Sequence, residues 1–411
     1  MKKNVMFLFF AIILIGCKVK EEVVTPLPNN VGKSKLDTLW RARLGFSINP
    51  ILNDNKDIFV SHMFGQNGDE FKLFDHLNGK LKWKWNDFLV FEEGLLNLQC
   101  LHKNELFLIA SGPRRYALNI NTGQTVWRSQ IDSLHGESRI YENGDKIYST
   151  YISRNKVPRI YIYHANYSLG DWNPLCYYED SSSEFQEVNS AALSFSKNSQ
   201  GETILVITLH VFSADVKKLK VKVCGYNMVK KQFEWVKDYT SRYSEFMTCK
   251  MVSNDSKVFT YAVYGTIRYL VAINANDGSI AWEQPMPDLG VGIYPYQDKL
   301  ISLSNGSQPA ICVDQNTGNV VWKQNFTSSE LDNLNFKLAD SKVFKNYLFS
   351  THCDYLLILN LDDGNIVYNK YVAFPNGCLQ YSVAINEEKR LFYVQDRNFL
   401  NCYKLPDEVK Y

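Results

Sequence analysis

Two stretches of the 411-residue chain crowd oxygen ligands together: Asn274-Ala275-Asn276-Asp277-Gly278 and Asn360-Leu361-Asp362-Asp363-Gly364. Carboxylate and amide oxygens closing on a glycine are the parts of a calcium loop. Such a loop also needs a Glu at its twelfth position, and neither stretch has one. His352-Cys353-Asp354 is the tightest cluster of ligating or nucleophilic side chains, and a turn between strands explains it as well as a site does. All seven histidines, His62, His76, His102, His135, His164, His210 and His352, are scattered singly. The sequence has no HExxH, GxSxG, phosphate-binding loop or CxxC. These residues therefore predict no catalytic residue, no metal site and no cofactor.

The oxygen-rich stretches have a different explanation, because they recur. Ala117, Asn119, Thr122, Gly123 and Trp127 share one spacing with Leu73, Asp75, Asn78, Gly79 and Trp83. Ala272, Asn274, Asp277, Gly278 and Trp282 repeat it, as do Cys312, Asp314, Thr317, Gly318 and Trp322. A fifth copy holds Ile358, Asn360, Asp363 and Gly364, with Tyr368 in the Trp slot. Alternating apolar residues before the Asx read as a half-buried strand. The Asx side chain accepts backbone N–H groups two residues on, and glycine supplies the positive φ of the turn. The returning strand then presents a large ring, suited to a seam against the next unit.

Two copies are degenerate. Gly225, Asn227 and Trp235 match, but Lys231 stands where glycine is expected and is predicted to adopt positive φ. Ile162, His164 and Trp172 fit with the glycine displaced to Gly170. The ring markers are then Trp40, Trp83, Trp127, Trp172, Trp235, Trp282, Trp322 and Tyr368, at intervals of 43, 44, 45, 63, 47, 40 and 46 residues. About 40–50 residues is one four-stranded propeller blade. Trp40 has no strand and turn before it, while Leu391–Val394 and Phe399–Leu405 are strands with no returning Trp. Pairing the two completes a blade and removes open edges. The expectation is an all-β, eight-bladed β-propeller, its ring closed by the N-terminal strand pairing into the C-terminal blade.

The first residues carry chemistry of another kind. Lys2 and Lys3 precede an apolar run, Val5 to Ile15, too short for a stable span, and Leu14-Ile15-Gly16-Cys17 follows. This end resembles the lipobox of bacterial lipoproteins, which implies residues 1–16 as a signal peptide and a lipid on the Cys17 sulfur. Residue 18 is Lys rather than the Asp linked to inner-membrane retention, which favours the outer membrane, on its periplasmic face or the cell surface. Residues 17–36, with Pro26, Pro28 and Gly32, read as a lipidated tether, and residues 37–411 as one repeat domain.

Composition agrees with this scheme. The chain is 45% hydrophobic and 14% aromatic, with 45 Lys and Arg against 43 Asp and Glu. Near-zero net charge gives no bulk attraction for nucleic acid. Of nine cysteines, Cys312 and Cys402 fall in the small-residue slot of the repeat and are expected to be buried; the others form no recognisable disulfide framework.

The repeat resembles that of the PQQ-type β-propellers, found in quinoprotein dehydrogenases and in BamB-type lipoproteins of the outer-membrane assembly machinery. The resemblance spans about residues 37 to 405. It implies that Trp83, Trp127, Trp282, Trp322 and Tyr368 are docking rings and that Gly79, Gly123, Gly278, Gly318 and Gly364 are turn glycines. Trp40, Trp172 and Trp235 carry over as rings alone. The dehydrogenases use a ring of adjacent cysteines stacked on the quinone, and this chain has no Cys-Cys. The expected function is a non-enzymatic, lipid-anchored scaffold binding an envelope protein. The alternatives are an accessory lipoprotein that binds a glycan or small ligand and, less favoured, a PQQ-dependent dehydrogenase. The 63-residue interval before Trp235 holds an acidic, Ser-rich run, read as a loop, in which Glu179, Asp180, Glu184, Phe185 and Glu187 are the candidate partner contacts.

Overall fold

The structure is a computed structural model. It describes residues 38–410 apart from 44–46, 53–56, 63–69, 88–97, 103–105, 112–113, 131–139, 144–145, 154–158, 167–171, 180–184, 214–218, 247–250, 287–289, 305–309, 325–340, 353–354, 372–382 and 396–398. Cys17 and the proposed signal and tether lie outside the described residues, as do Gly170, Cys353 and Asp354.

The described residues contain strands and no helix, arranged in eight antiparallel sheets. Sheet one is Ser47–Leu52, Ile58–His62, Glu70–Phe74 and Leu81–Trp85; sheet two is Leu98–His102, Leu106–Ser111, Arg114–Asn119 and Thr125–Gln130. Sheet three is Ile140–Asn143, Lys146–Ser153, Arg159–Asn166 and Trp172–Glu179; sheet four is Phe185–Lys197, Thr203–Ser213, Leu219–Asn227 and Gln232–Asp238. In sheet five two short strands, Glu245–Phe246 and Val252–Ser253, share the first position against Lys257–Tyr264, followed by Ile267–Asn274 and Ile280–Met286. Sheet six is Gly290–Tyr296, Lys299–Ser304, Ala310–Asp314 and Val320–Gln324, and sheet seven is Lys342–Phe344, Tyr347–His352, Tyr355–Asn360 and Ile366–Tyr371. Sheet eight joins distant parts of the chain: Ala384–Asn386, Leu391–Gln395 and Phe399–Lys404 take Thr38–Arg43 as fourth strand, with Trp40 opposite Cys402.

Inner strands of sheets four and six are buried on both faces, so they do not show a simple inside–outside alternation. Thr203–Ser213 is buried at nine of its eleven positions, and Ala310–Asp314 at four of five. Runs of Ile, Val and Leu fit such two-sided burial. The fourth strands are wetter: Val320–Gln324 has no fully buried residue. Apolar clusters lie between consecutive sheets. Tyr226, Leu205 and Ile207 pack with Ile160, Ile162 and Tyr178 across sheets three and four. Leu357 and Leu359 pack with Ile301 and Cys312 across sheets six and seven. Ile58 and Phe74 of sheet one share a cluster with Tyr393, Leu400 and Cys402 of sheet eight. Cys312 and Cys402 are both fully buried.

The 63-residue interval between Trp172 and Trp235 holds long strands. Sheet four contains strands of 13, 11 and 9 residues, against five or six in most others, so most of the extra length is hydrogen-bonded. The expected loop is correspondingly short: Glu179 ends one strand, and Phe185 and Glu187 begin the next.

Candidate functional site

The oxygen-rich stretches are the turns between third and fourth strands. Asp75 Oδ1 accepts the N–H groups of Leu77 and Asn78, and its carbonyl accepts the Gly79 N–H at 2.9 Å. Asn119, Asn227 and Asp314 make the same two Oδ1 contacts in their turns, and Gly123, Lys231 and Gly318 donate to their carbonyls. In the apparent calcium loop, Asp277 accepts the Ser279 N–H and hydroxyl, a local turn contact that lowers its pKa. No group of three or more His, Cys, Asp or Glu suited to a metal ion occurs among the described residues.

The rings close on these turns with a regular geometry. Trp40, Trp83, Trp235, Trp282 and Trp322 donate through Nε1 to the carbonyls of His76, Ile120, Ala275, Gln315 and Leu361, at 2.9, 2.8, 3.0, 2.9 and 3.1 Å. Each acceptor lies one residue past the Asx of the following sheet. Three residues further stands the glycine on which the same ring rests: Gly79, Gly123, Gly278, Gly318 or Gly364, with φ between 68° and 77°. A Cβ added at any of the five would come within 2.4–2.6 Å of an indole carbon. Glycine is thus required twice, for the left-handed backbone and for the ring above it. The residue opposite each ring is small in several sheets for a related reason: Gly225 faces Trp235, Ala117 faces Trp127, and Ala272 faces Trp282.

Trp127 and Tyr368 complete the list of rings in this register. Trp127 is buried opposite Ala117, and the turn that follows it in the next sheet lies outside the described residues. Tyr368 is buried opposite Ile358, in a cluster with Ile385, Phe392 and Tyr403 of sheet eight.

Trp172 is a correction. In the other sheets a bulge follows the pair formed by the small residue and the ring. In sheet three that bulge follows Ile162, whose partner is Cys176; Trp172 pairs with Ala165, four residues earlier. The docking slot of sheet three is therefore occupied by Cys176. The Trp172 ring lies 5.8 Å from the guanidinium carbon of Arg115 in sheet two, and its buried Nε1 has no hydrogen-bond partner among the described residues. This accounts for Lys231. With no indole delivered to the sheet-four turn, a side chain fits there, and Lys231 takes φ 57°. A lysine in the glycine slot was the sequence signal that the preceding ring had been lost.

Other polar groups serve as ties within and between sheets. Glu202 accepts from Asn198 and Asn227, at 2.8 and 2.7 Å, and pairs with Lys230 at 3.0 Å; these donors hold its carboxyl at about 2. Buried His210 of sheet four accepts the Phe246 N–H of sheet five at 3.0 Å, and burial lowers its pKa to about 4, keeping it a neutral acceptor. Cys176, Cys224, Cys312 and Cys402 are free thiols, and burial raises all four pKa values. Thiols held in the protonated form are poor nucleophiles.

Of the acidic run, Glu179 is paired with Arg159 on the neighbouring strand, and the Arg159 guanidinium also lies 5.4 Å over the Tyr177 ring. Tyr177 is 51% exposed. Asp180 and Glu184 lie outside the described residues, and Phe185 and Glu187 are placed there by backbone alone.

Residues 248–397 match the family model described as outer membrane protein assembly factor BamB. No curated protein matches the chain by sequence. Solved structures resemble it at low identity. BamB from Moraxella catarrhalis has a TM-score of 0.55 at 13% identity, covering 90% of this chain and all of that one. Saccharomyces cerevisiae Sqt1 has 0.62 at 11%, covering 91% and 100%, and the Dos1 propeller 0.59 at 10%, covering 90% and 95%. At such identities the likeness carries the fold alone. The chain has the β-propeller fold, and its residues 248–397 are similar to the BamB family.

Proposed function

We propose that this chain is an eight-bladed propeller, closed into a ring by Thr38–Arg43, that acts without catalysis as a protein-binding scaffold in the bacterial cell envelope. It is held to the outer membrane by lipid on Cys17, and its task lies in outer-membrane protein assembly. The observation that carries this reading is the use made of the repeat. Its Asx, Gly and Trp side chains are consumed in turns and seams, and residues 248–397 match the BamB model. A scaffold whose distinctive residues all brace the frame offers its surface, rather than a reaction centre, to partners.

The contact surface on this reading is the junction of sheets three and four, where exposed Tyr177 precedes the acidic run. Glu179 is engaged by Arg159, so Asp180, Glu184 and Glu187 are the carboxylates assigned to a partner. Crosslinking in intact cells, followed by identification of neighbours, tests the function. Recovery of an envelope assembly protein, lost with Asp180→Lys and Glu184→Lys together, supports it; the same partners from the double variant would refute the assigned surface. A bound quinone with calcium-dependent oxidation would overturn the non-enzymatic reading. The anchor is tested by Cys17→Ser, which should abolish palmitate labelling and release the protein from the membrane fraction.

A further inference from the structure

Sheet eight lacks a part that other sheets have. In sheets one, two, four, five, six and seven the third strand passes through a hydrogen-bonded turn into the fourth, and in all of these but sheet four that turn is where the neighbouring ring docks. In sheet eight the fourth strand is Thr38–Arg43, so no such turn joins it to Phe399–Lys404. Register shows what stands in its place. Cys402 faces Trp40 as Ala117 faces Trp127, which puts Lys404 in the Asx slot and Leu405 in the slot after it. The Leu405 N–H donates to the Arg390 carbonyl at 2.8 Å. Ala275, Gln315 and Leu361 make the same contact with Ser256, Asp298 and Asn346 at 2.9, 2.8 and 2.7 Å.

Beyond Leu405 the chain departs from the pattern and folds into the seam. The Val409 N–H reaches back to the Pro406 carbonyl at 3.1 Å, and Val409 is completely buried. It belongs to an apolar cluster drawn from two sheets, with Tyr347, Phe349, Ile358 and Tyr368 of sheet seven and Phe392 and Tyr403 of sheet eight. Two polar contacts fix the segment from both sides. The Arg390 guanidinium donates to the Val409 carbonyl at 2.9 Å, and the Tyr347 hydroxyl donates to the Lys410 carbonyl at 2.8 Å. The Lys410 N–H in turn lies 3.2 Å from the Tyr347 oxygen.

We propose that Leu405–Lys410 is a clasp that substitutes for the missing docking turn and locks sheet seven to sheet eight. The ring exchange at this seam fits the idea. At the other seams a glycine platform accepts an indole, whereas here Val409 and the smaller Tyr368 share one buried apolar cluster.

Hydrogen exchange of the full chain is compared with a deletion of residues 406–411, with Val409→Asp and with Tyr347→Phe. The deletion and Val409→Asp should speed exchange at least tenfold in Ile366–Tyr371 and Leu391–Gln395 and leave Val320–Gln324 unchanged. Tyr347→Phe, which keeps the apolar packing, should give a smaller increase confined to the same strands. A labelled Leu405–Tyr411 peptide should bind the deletion variant, restore its protection, and not bind the intact chain. Unchanged exchange in all three variants, an increase spread evenly over the sheets, or a peptide that fails to bind the deletion variant would overturn the clasp.

Discussion

Alanine placed at Gly318 and at Lys231 separates the two demands on the turn. Both residues sit four after the Asx and both have positive φ, 74° and 57°. At Gly318 a Cβ would lie 2.6 Å from Cδ2 and 2.7 Å from Cε3 of Trp282. Trp282 is buried, and its Nε1 is bonded to the Gln315 carbonyl, so the ring cannot swing into solvent without losing that bond. Left-handed backbone costs an alanine about 1–2 kcal/mol, and a weakened buried hydrogen bond adds about 1 kcal/mol. Gly318→Ala is therefore expected to destabilise by about 2–4 kcal/mol with the packing loss included. For a domain of this length that lowers the melting temperature by about 3–5 °C, from the usual unfolding entropy per residue. Lys231 already carries a Cβ in the left-handed region, and no indole reaches its turn. Lys231→Ala should change stability by less than about 0.5 kcal/mol, as for an ordinary surface substitution. Calorimetry on both variants decides the matter. A Gly318→Ala protein melting within about 1 °C of the parent, or equal losses at both sites, would refute the argument that the ring, and not the backbone alone, selects glycine.

The same seam logic separates two tryptophans. Trp282→Phe strands a buried carbonyl and should cost about 1–3 kcal/mol in urea unfolding, whereas Trp172→Phe has no Nε1 bond to lose and should cost under about 1 kcal/mol. His210 predicts an acid-sensitive junction of sheets four and five. Its folded pKa of about 4 lies below the ordinary 6.5, so the stability it contributes is full above pH 6.5 and falls as pH drops towards 4, by up to about 3 kcal/mol. His210→Gln should flatten that dependence between pH 7 and 4 in denaturant midpoints; an unchanged slope would show that other groups cause it. Lys230→Met removes one of the donors holding Glu202 at about 2, so the Glu202 titration followed by NMR should move upward.

How much could be read in the residues depended on how local the physics was. An Asx accepting N–H groups two and three residues on, and a glycine at positive φ, are settled within six residues. The turns at Asp75, Asn119, Asn274, Asp314 and Asn360 were therefore legible in the sequence, as was the left-handed backbone at Lys231. The ring-bearing strands followed, because one large ring per unit at steady spacing has few other uses. Where the deciding interaction lies across a seam, spacing misleads. Trp172 keeps the interval but not the register, since a bulge after Ile162 hands the slot to Cys176, and no neighbour in the chain reveals a bulge. Length before Trp235 reads as a loop until pairing shows it spent on strands of 13, 11 and 9 residues. The segment after Leu405 carries no copy of the repeat. Its role is set by Tyr347 and Arg390, residues that only the meeting of sheets seven and eight brings to it.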